Sequence, residues 1–166
     1  MAEVRPAPAT PQINITLSIL EDKCESFIVT GYGQNEAVPK PMEQYEFNFM
    51  INFNLIQASQ HARVSSVVKL QEKQDDGSRK ELAELKSTHL FFIQNFHEII
   101  HIASNGMLLI PNPLIEVCNS ISISSIRGMY SIKKENTVFR HAVLPLLDPK
   151  SLLPPAQATA QQAAVG

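Results

Sequence analysis

The chain has 166 residues, of which 44% are hydrophobic and 18% are charged, and its formal net charge is −2. A chain of this size and composition can bury one core without disulfides or metal ions, so we expect a single soluble domain. Its lysines and arginines are scattered and form no basic run, which argues against nucleic acid as a partner.

Both ends of the chain are low in complexity. Residues 1–12 are rich in proline and are predicted to be a flexible tail. Residues 153–166 read LPPAQATAQQAAVG and are predicted to be a second, low-complexity tail. The folded domain is therefore expected to span residues 13–152.

Two β-strands are predicted before residue 60. In the first, apolar residues alternate with polar ones from Ile13 to Ile19, and the strand continues irregularly to Thr30. Gly31–Pro41 contains two glycines and two prolines and is predicted to be a loop. The second strand, Tyr45–Ile56, gives the clearest signal, because its odd positions are apolar and its even positions mostly polar. Such alternation indicates one buried face and one hydrated face.

Two further strands are predicted at Val64–Glu72 and Leu82–Ile93. Between them, Gln74–Arg79 contains the Asp-Gly pair that is typical of a hairpin turn. Strands that follow one another usually pair. We therefore expect an antiparallel meander that the first strand also joins.

A helix is predicted in the second half of the chain. Asn112 is expected to cap it, with Pro113 at its first position, Glu116 in its first turn and Gly128 at its end. The run Ser120–Ser125 also fits a strand, because its serines and isoleucines alternate. The predicted core stripe of this helix consists of Leu114, Val117, Cys118, Ile121 and Ser125.

Membrane spans and disulfides are not expected. No stretch approaches the roughly 20 apolar residues that span a bilayer, and residues 1–12 lack the apolar segment of a signal peptide. We therefore expect a cytoplasmic protein that does not insert into membranes. Cys24 and Cys118 are isolated and have no CxxC spacing, and both are interpreted as small buried residues.

The sequence HEIIH, from His97 to His101, matches the HExxH motif of zinc hydrolases. In that motif both histidines bind zinc from one face of a helix, and the central glutamate, here Glu98, activates a water molecule. The extended form of the motif is excluded, because Ser104 and Met107 occupy the positions that it would fill with Gly and His. A downstream glutamate, Glu116 or Glu135, is the remaining candidate for a third ligand. We interpret the two histidines as partly exposed helical residues and keep the zinc hydrolase as the alternative function. No cofactor is expected, since phosphate-loop and nucleophile-elbow motifs are also absent from the sequence.

Aromatic residues are concentrated in the predicted sheet. Most of them are expected to be core residues, but their number suggests that some line an accessible apolar groove. The candidate residues for binding a polypeptide are Phe47, Phe49, Phe53, Phe91 and Phe92.

Four short motifs resemble, in order and spacing, those of the SecB family of protein-export chaperones. Leu82–Leu85 is similar to the Leu-x-Glu-Val that begins the family's fourth strand, and Leu109–Pro111 to the Leu-Phe-Pro before its long helix. Ser125–Tyr130 resembles the Arg-Gly-x-Phe at the end of that helix, and Leu144–Leu147 the Leu-x-Pro-Val-x-Phe that follows. Pro149, Pro154 and Pro155 depart from the family, which forms a second helix there.

The resemblance implies an α+β fold in which helices pack on one face of a four-stranded antiparallel sheet. It implies a homotetramer, a dimer of dimers, that holds unfolded polypeptides or preproteins for export without ATP, metal or enzymatic activity. A dedicated client such as an antitoxin is the other possibility that the family offers. Leu82 and Glu84 would face a SecA-type motor, and the aromatic residues of the sheet would line the client groove.

Overall fold

The computed structural model describes residues 13–30 and 41–153, together with the backbone of Ala160–Gln162. The predicted tail 1–12 and nearly all of the loop Gly31–Pro41 lie outside the described residues. Four antiparallel strands form the main sheet in the order β1-β4-β3-β2. Their bounds are Leu17–Val29 for β1, Tyr45–Ile56 for β2, His61–Lys73 for β3 and Arg79–Ile93 for β4. The predicted meander of β2, β3 and β4 is confirmed, and β1 joins it beside β4.

Strand β1 begins at Leu17, later than the predicted Ile13. The side chain of Asn95 binds the backbone here, donating to Asn14 O at 2.7 Å and accepting from the Thr16 N–H at 3.1 Å. These backbone groups are therefore held by a side chain and not by a neighbouring strand. Register shifts between Ile19 and Glu21 and between Cys24 and Ser26 explain the irregular pattern in the sequence, because a bulge reverses the alternation.

The hairpin between β3 and β4 is confirmed at its predicted position. Gly77 adopts a φ of 81°, a backbone conformation that glycine tolerates best. The Ser78 N–H donates to Asp76 Oδ1 at 2.8 Å, and the Gln74 N–H donates to Ser78 O at 2.9 Å. These bonds close the turn and fix the register of the two strands.

Two α-helices follow the sheet, α1 at Phe96–Ile99 and α2 at Asn112–Lys133. The Ser120–Ser125 run lies within α2 and is helical. It differs from the prediction at both ends, because Pro111 occupies the capping position and Asn112 makes no capping bond. Glu116 lies beyond the first turn. The helix continues past Gly128, since packing of residues on either side offsets the ~1 kcal/mol that a helical glycine costs.

The buried face of α2 is rotated relative to the predicted stripe. Val117 is 39% exposed and Ile121 and Ser125 are only partly buried, so of that stripe Leu114 and Cys118 belong to the buried core. The residues that α2 buries against the sheet are Leu114, Ile115, Cys118, Asn119, Ser122, Ile123, Ile126 and Tyr130. The helix therefore presents both apolar and polar side chains to the sheet.

A second, small sheet has the order β5-β6-β7, with β5 at His101–Ile102, β6 at Met107–Leu109 and β7 at Ala160–Gln162. Strand β7 belongs to the segment predicted as a tail, residues 153–166, so part of that segment pairs with β6. Three 3-10 turns complete the described elements, at Met42–Gln44, Gln57–Ser59 and Pro149–Leu152.

Candidate functional site

Strand β2 carries a row of half-buried apolar side chains on the face that α2 covers. This row, here called the aromatic row, consists of three phenylalanines and one isoleucine, Phe47, Phe49, Ile51 and Phe53. Between the fully buried Tyr45 and Leu55 at the ends of the strand, these side chains keep part of their surface accessible. Within the described part of the chain β2 pairs with β3 alone, so its outer edge offers backbone hydrogen-bonding groups beside the row.

Tyr130 of α2 supports the aromatic row from above. Its ring meets that of Phe47 edge-on at a centroid distance of 5.6 Å and that of Phe27 on β1 at 6.4 Å. Tyr130 is 2% exposed, and its burial, together with the nearby Tyr45, raises the pKa of its phenol. The ring is therefore neutral, and it packs as an apolar spacer between α2 and the sheet.

The two candidate phenylalanines of β4 lie on opposite faces of the sheet. Phe91 points towards α2 and is fully buried in the core, so in this structure it has no surface for a client. Phe92 lies on the outer face, where its ring contacts that of His61 at 5.9 Å. Of the five aromatic candidates, only Phe47, Phe49 and Phe53 lie on the face that α2 covers and are also partly accessible.

Leu82 and Glu84 also differ in their surroundings. Glu84 lies on the outer face, with its carboxylate 2.9 Å from Lys86 Nζ and 3.3 Å from Lys69 Nζ. Leu82 is 0% exposed and packs with Leu70 and Phe139. The register shift between Leu70 and Gln71 turns Leu82 as well as Ala83 inwards. The expectation that Leu82 shares a partner-binding surface with Glu84 is therefore corrected.

The HExxH sequence does not form a zinc-binding helix. Helix α1 ends at Ile99, Ile100 is extended, and His101 lies in strand β5 opposite Leu109. His97 is exposed on α1, with its Nε2 atom 3.0 Å from Gln60 Nε2. The interpretation of both histidines as helical thus holds for His97 only. Among the described residues, no three His, Cys, Asp or Glu side chains are grouped as metal ligands would be.

One exposed apolar surface was not predicted from the sequence. Along the β1 edge of the sheet, Ile19, Leu20, Ile28 and Val29 are 46 to 56% exposed. Leu20 lies in the first bulge, whereas Ile28 and Val29 are consecutive and therefore face opposite sides of the strand, so an analysis of period two does not detect this surface. Cys24, at the centre of the same strand, is half-buried, whereas Cys118 is fully buried as expected.

In the part of the chain that the structure describes, no helix is both long enough and apolar enough to cross a bilayer. No protein-family model matches the chain, and no curated protein sequence matches it.

Solved structures show similarity of fold. The SecB-like chaperone Rv1957 of Mycobacterium tuberculosis, in complex with a ChAD peptide of the HigA1 antitoxin, superposes with a TM-score of 0.50 and 12% identity. The match covers 79% of this chain and 90% of that one. A protein of unknown function from Streptococcus agalactiae matches 81% of this chain and 99% of that one, at 9% identity and a TM-score of 0.36. The first similarity concerns the fold alone, and the second is too low to support an argument.

Proposed function

We propose that this chain is a cytoplasmic holdase, a non-enzymatic chaperone that binds unfolded polypeptides on the aromatic row of β2. The observation that carries the proposal is the half-buried row Phe47, Phe49, Ile51 and Phe53 beside a sheet edge. An extended polypeptide can add backbone hydrogen bonds at such an edge while its side chains contact the apolar row. The SecB-like fold supports the same function.

The clients are proposed to be preproteins on their way to export, in agreement with the resemblance to the SecB family. A dedicated client such as an antitoxin is the second possibility, and the similar chaperone from M. tuberculosis was solved with an antitoxin peptide. Both kinds of client would bind through extended apolar segments. Binding assays with each kind of client separate the two.

The proposed assembly is a homotetramer, a dimer of dimers. Its support is the exposed apolar edge of β1, where Ile19 and Leu20 are 56% and 53% exposed. A SecA-type motor would meet the outer face of the sheet at Glu84 without Leu82. The two lysines beside Glu84 reduce the negative charge that this face presents to a motor.

A test of the proposal combines an aggregation assay with measured affinity. The full-length protein is expected to suppress aggregation of a reduced, unfolded protein and to bind it when it is fluorescently labelled. Phe49→Asn is expected to weaken this binding about tenfold, because an aromatic contact at the centre of an interface contributes roughly 1 to 2 kcal/mol. Native mass measurement of the same samples is expected to give four copies.

Met50→Asn is the matched control. Met50 neighbours Phe49 but lies on the outer face and is 48% exposed. It should leave client affinity unchanged. Circular dichroism checks that the Phe49→Asn protein is folded. Full-length protein that neither binds an unfolded client nor slows its aggregation would refute the proposed function.

A further inference from the structure

A band of buried polar side chains, here called the polar belt, crosses the contact between α2 and the sheet. Each of its members is at most 2% exposed, and they are Ser66, Ser87, His89, Asn119 and Ser122. Along β4 the belt separates Leu85 from Phe91, and these two residues belong to different apolar clusters. Along α2 it likewise separates Cys118 from Ile126. The sheet and helix are thus joined by apolar contacts at two ends and by polar groups in the middle.

The belt contributes little to the attachment of α2. Among the described residues, hydrogen-bond partners are lacking for the Ser66 and Ser87 hydroxyls, Asn119 Oδ1 and the Ser122 hydroxyl. A buried polar group without a partner costs roughly 1 to 3 kcal/mol. A movement of α2 that admits water to the belt would remove this cost. The unpartnered polar groups in the middle of the contact therefore favour separation of α2 from the sheet, and the apolar clusters at both ends oppose it.

His89 is the belt residue that can acquire a charge within the physiological pH range. Its Nε2 lies 3.1 Å from Asp22 Oδ1 of β1, and the ring also makes a hydrogen bond with the backbone of Val64. Asp22 is itself occupied by α2, because the Ser125 hydroxyl lies 2.7 and 2.6 Å from its two carboxylate oxygens. Burial lowers the pKa of His89 below its usual 6.5, and this effect exceeds the opposing attraction of Asp22 and the hydrogen bonds with Val64 and Asp22. The ring is neutral when α2 is closed.

Other charged groups near this contact do not compensate a charge on His89. Arg63 and Lys86 lie on the opposite face of the sheet, since they alternate with buried residues. On α2, Glu116 lies 3.9 Å from Lys150, and Arg127 donates to Pro145 O. The thiols on this side are Cys24 of β1 and Cys118 of α2, and burial raises the pKa of Cys118 to about 12. Asp22 is therefore the acidic group that faces the ring.

We propose that protonation of His89 separates α2 from the sheet along the polar belt, so that acidification uncovers the helix-facing apolar surface. An imidazolium in the closed contact would be desolvated with one carboxylate beside it, whereas separation of α2 hydrates it. The opening is independent of the proposed function. The capture of an unfolded client by the uncovered surface rests on the proposed function.

The direction and size of the effect follow from linkage. In the open form His89 titrates near 6.5, and in the closed form below it, so the open form binds more protons. The closed form keeps its full stability above pH 6.5 and loses it as the pH falls further. The opening equilibrium then rises by up to tenfold per pH unit until the lowered pKa is reached. Between pH 7.5 and 5.5 we expect an increase of at most about tenfold, the limit that an open-form pKa of 6.5 sets.

Thiol labelling of Cys118 reports the opening, because this residue is 0% exposed on the inner face of α2. The assay uses full-length protein in a Cys24→Ser background, with and without His89→Gln, which stays neutral at every pH. The ratio of the two labelling rates cancels the intrinsic pH dependence of the thiol. That ratio is expected to rise from pH 7.5 to 5.5 by at most about tenfold, and a constant ratio would overturn the proposal.

His97→Gln is the matched control, since His97 is exposed on α1. It should retain the whole pH response. If His89→Gln does not fold, the imidazole resonance of His89 in the Cys24→Ser protein is followed by NMR. A midpoint below 6.5 is expected there, and a midpoint of 6.5 or above overturns the proposal.

The affinity for a labelled, unfolded client, measured at pH 7.5 and at pH 5.5, tests whether the uncovered surface binds clients. Tighter binding at pH 5.5 in wild type and not in His89→Gln supports capture by the uncovered surface. Accelerated labelling of Cys118 with equal client affinity at both pH values would overturn that capture and leave the opening intact. Absence of client binding at either pH would refute the proposed function instead.

Discussion

Replacement of Leu82 by Ala tests whether this residue is a core residue or a contact for a partner. Leu82 is 0% exposed and packs against Leu70 and Phe139 in an apolar cluster. Removing a fully buried leucine side chain costs its transfer free energy and leaves a cavity, together about 3 kcal/mol. A domain of this size has a stability of roughly 5 to 15 kcal/mol, so the loss is large without abolishing folding.

Urea unfolding followed by circular dichroism measures this loss. We expect the midpoint to fall with little change in slope, and Tm to fall by roughly 6 to 12 °C, since 1 kcal/mol shifts a domain of this size by about 2 to 4 °C. Met50→Ala is the control, because Met50 lies on the outer face of the sheet and is 48% exposed. A Leu82→Ala protein within ~0.5 kcal/mol of wild type would refute the assignment of Leu82 to the core.

Two further predictions concern backbone conformation and acid stability. Gly77→Ala should destabilise the protein by about 1 kcal/mol, because the φ of Gly77 is +81°. Gly128→Ala should stabilise it by up to ~1 kcal/mol, because Gly128 lies in α2 with open space around the added methyl group. Equal shifts of Tm in the two variants would contradict these predictions. Lys86, with Lys69, holds the pKa of Glu84 below its usual 4.5, so the stabilisation is present above pH 4.5 and is lost as the pH falls through the lowered pKa. Glu84→Gln should remove this component from the acid limb of the stability curve, and an unchanged acid limb would show that the two lysines do not stabilise the folded state.

Local patterns were sufficient for the sheet. Alternation along Tyr45–Ile56 predicted the face that α2 covers, and the Asp-Gly pair predicted the hairpin before β4. Both depend on side chains only a few residues apart. The aromatic row was therefore largely visible in the sequence, although which of its members stay accessible was not.

Bulges and helix ends were predicted less well. The bulge opposite Leu70 buries Leu82 as well as Ala83, and the exposed apolar residues of β1 do not follow a period of two. The end of α2 was placed at Gly128 on local preference, but burial of Tyr130 beyond it carries the helix on to Lys133. HEIIH matched a motif letter by letter, yet the chain leaves the helix after Ile99.

By itself the sequence determined the meander of β2, β3 and β4, the faces of β2 and the long helix, because periodicity and turn chemistry act over a few neighbouring residues. The tertiary structure alone decided that Phe91 and Leu82 are inaccessible, that His97 and His101 do not share a helix face, and that Asp22, His89 and Ser125 meet. These contacts join residues distant in sequence, and they depend on strand register and on the angle at which α2 crosses the sheet.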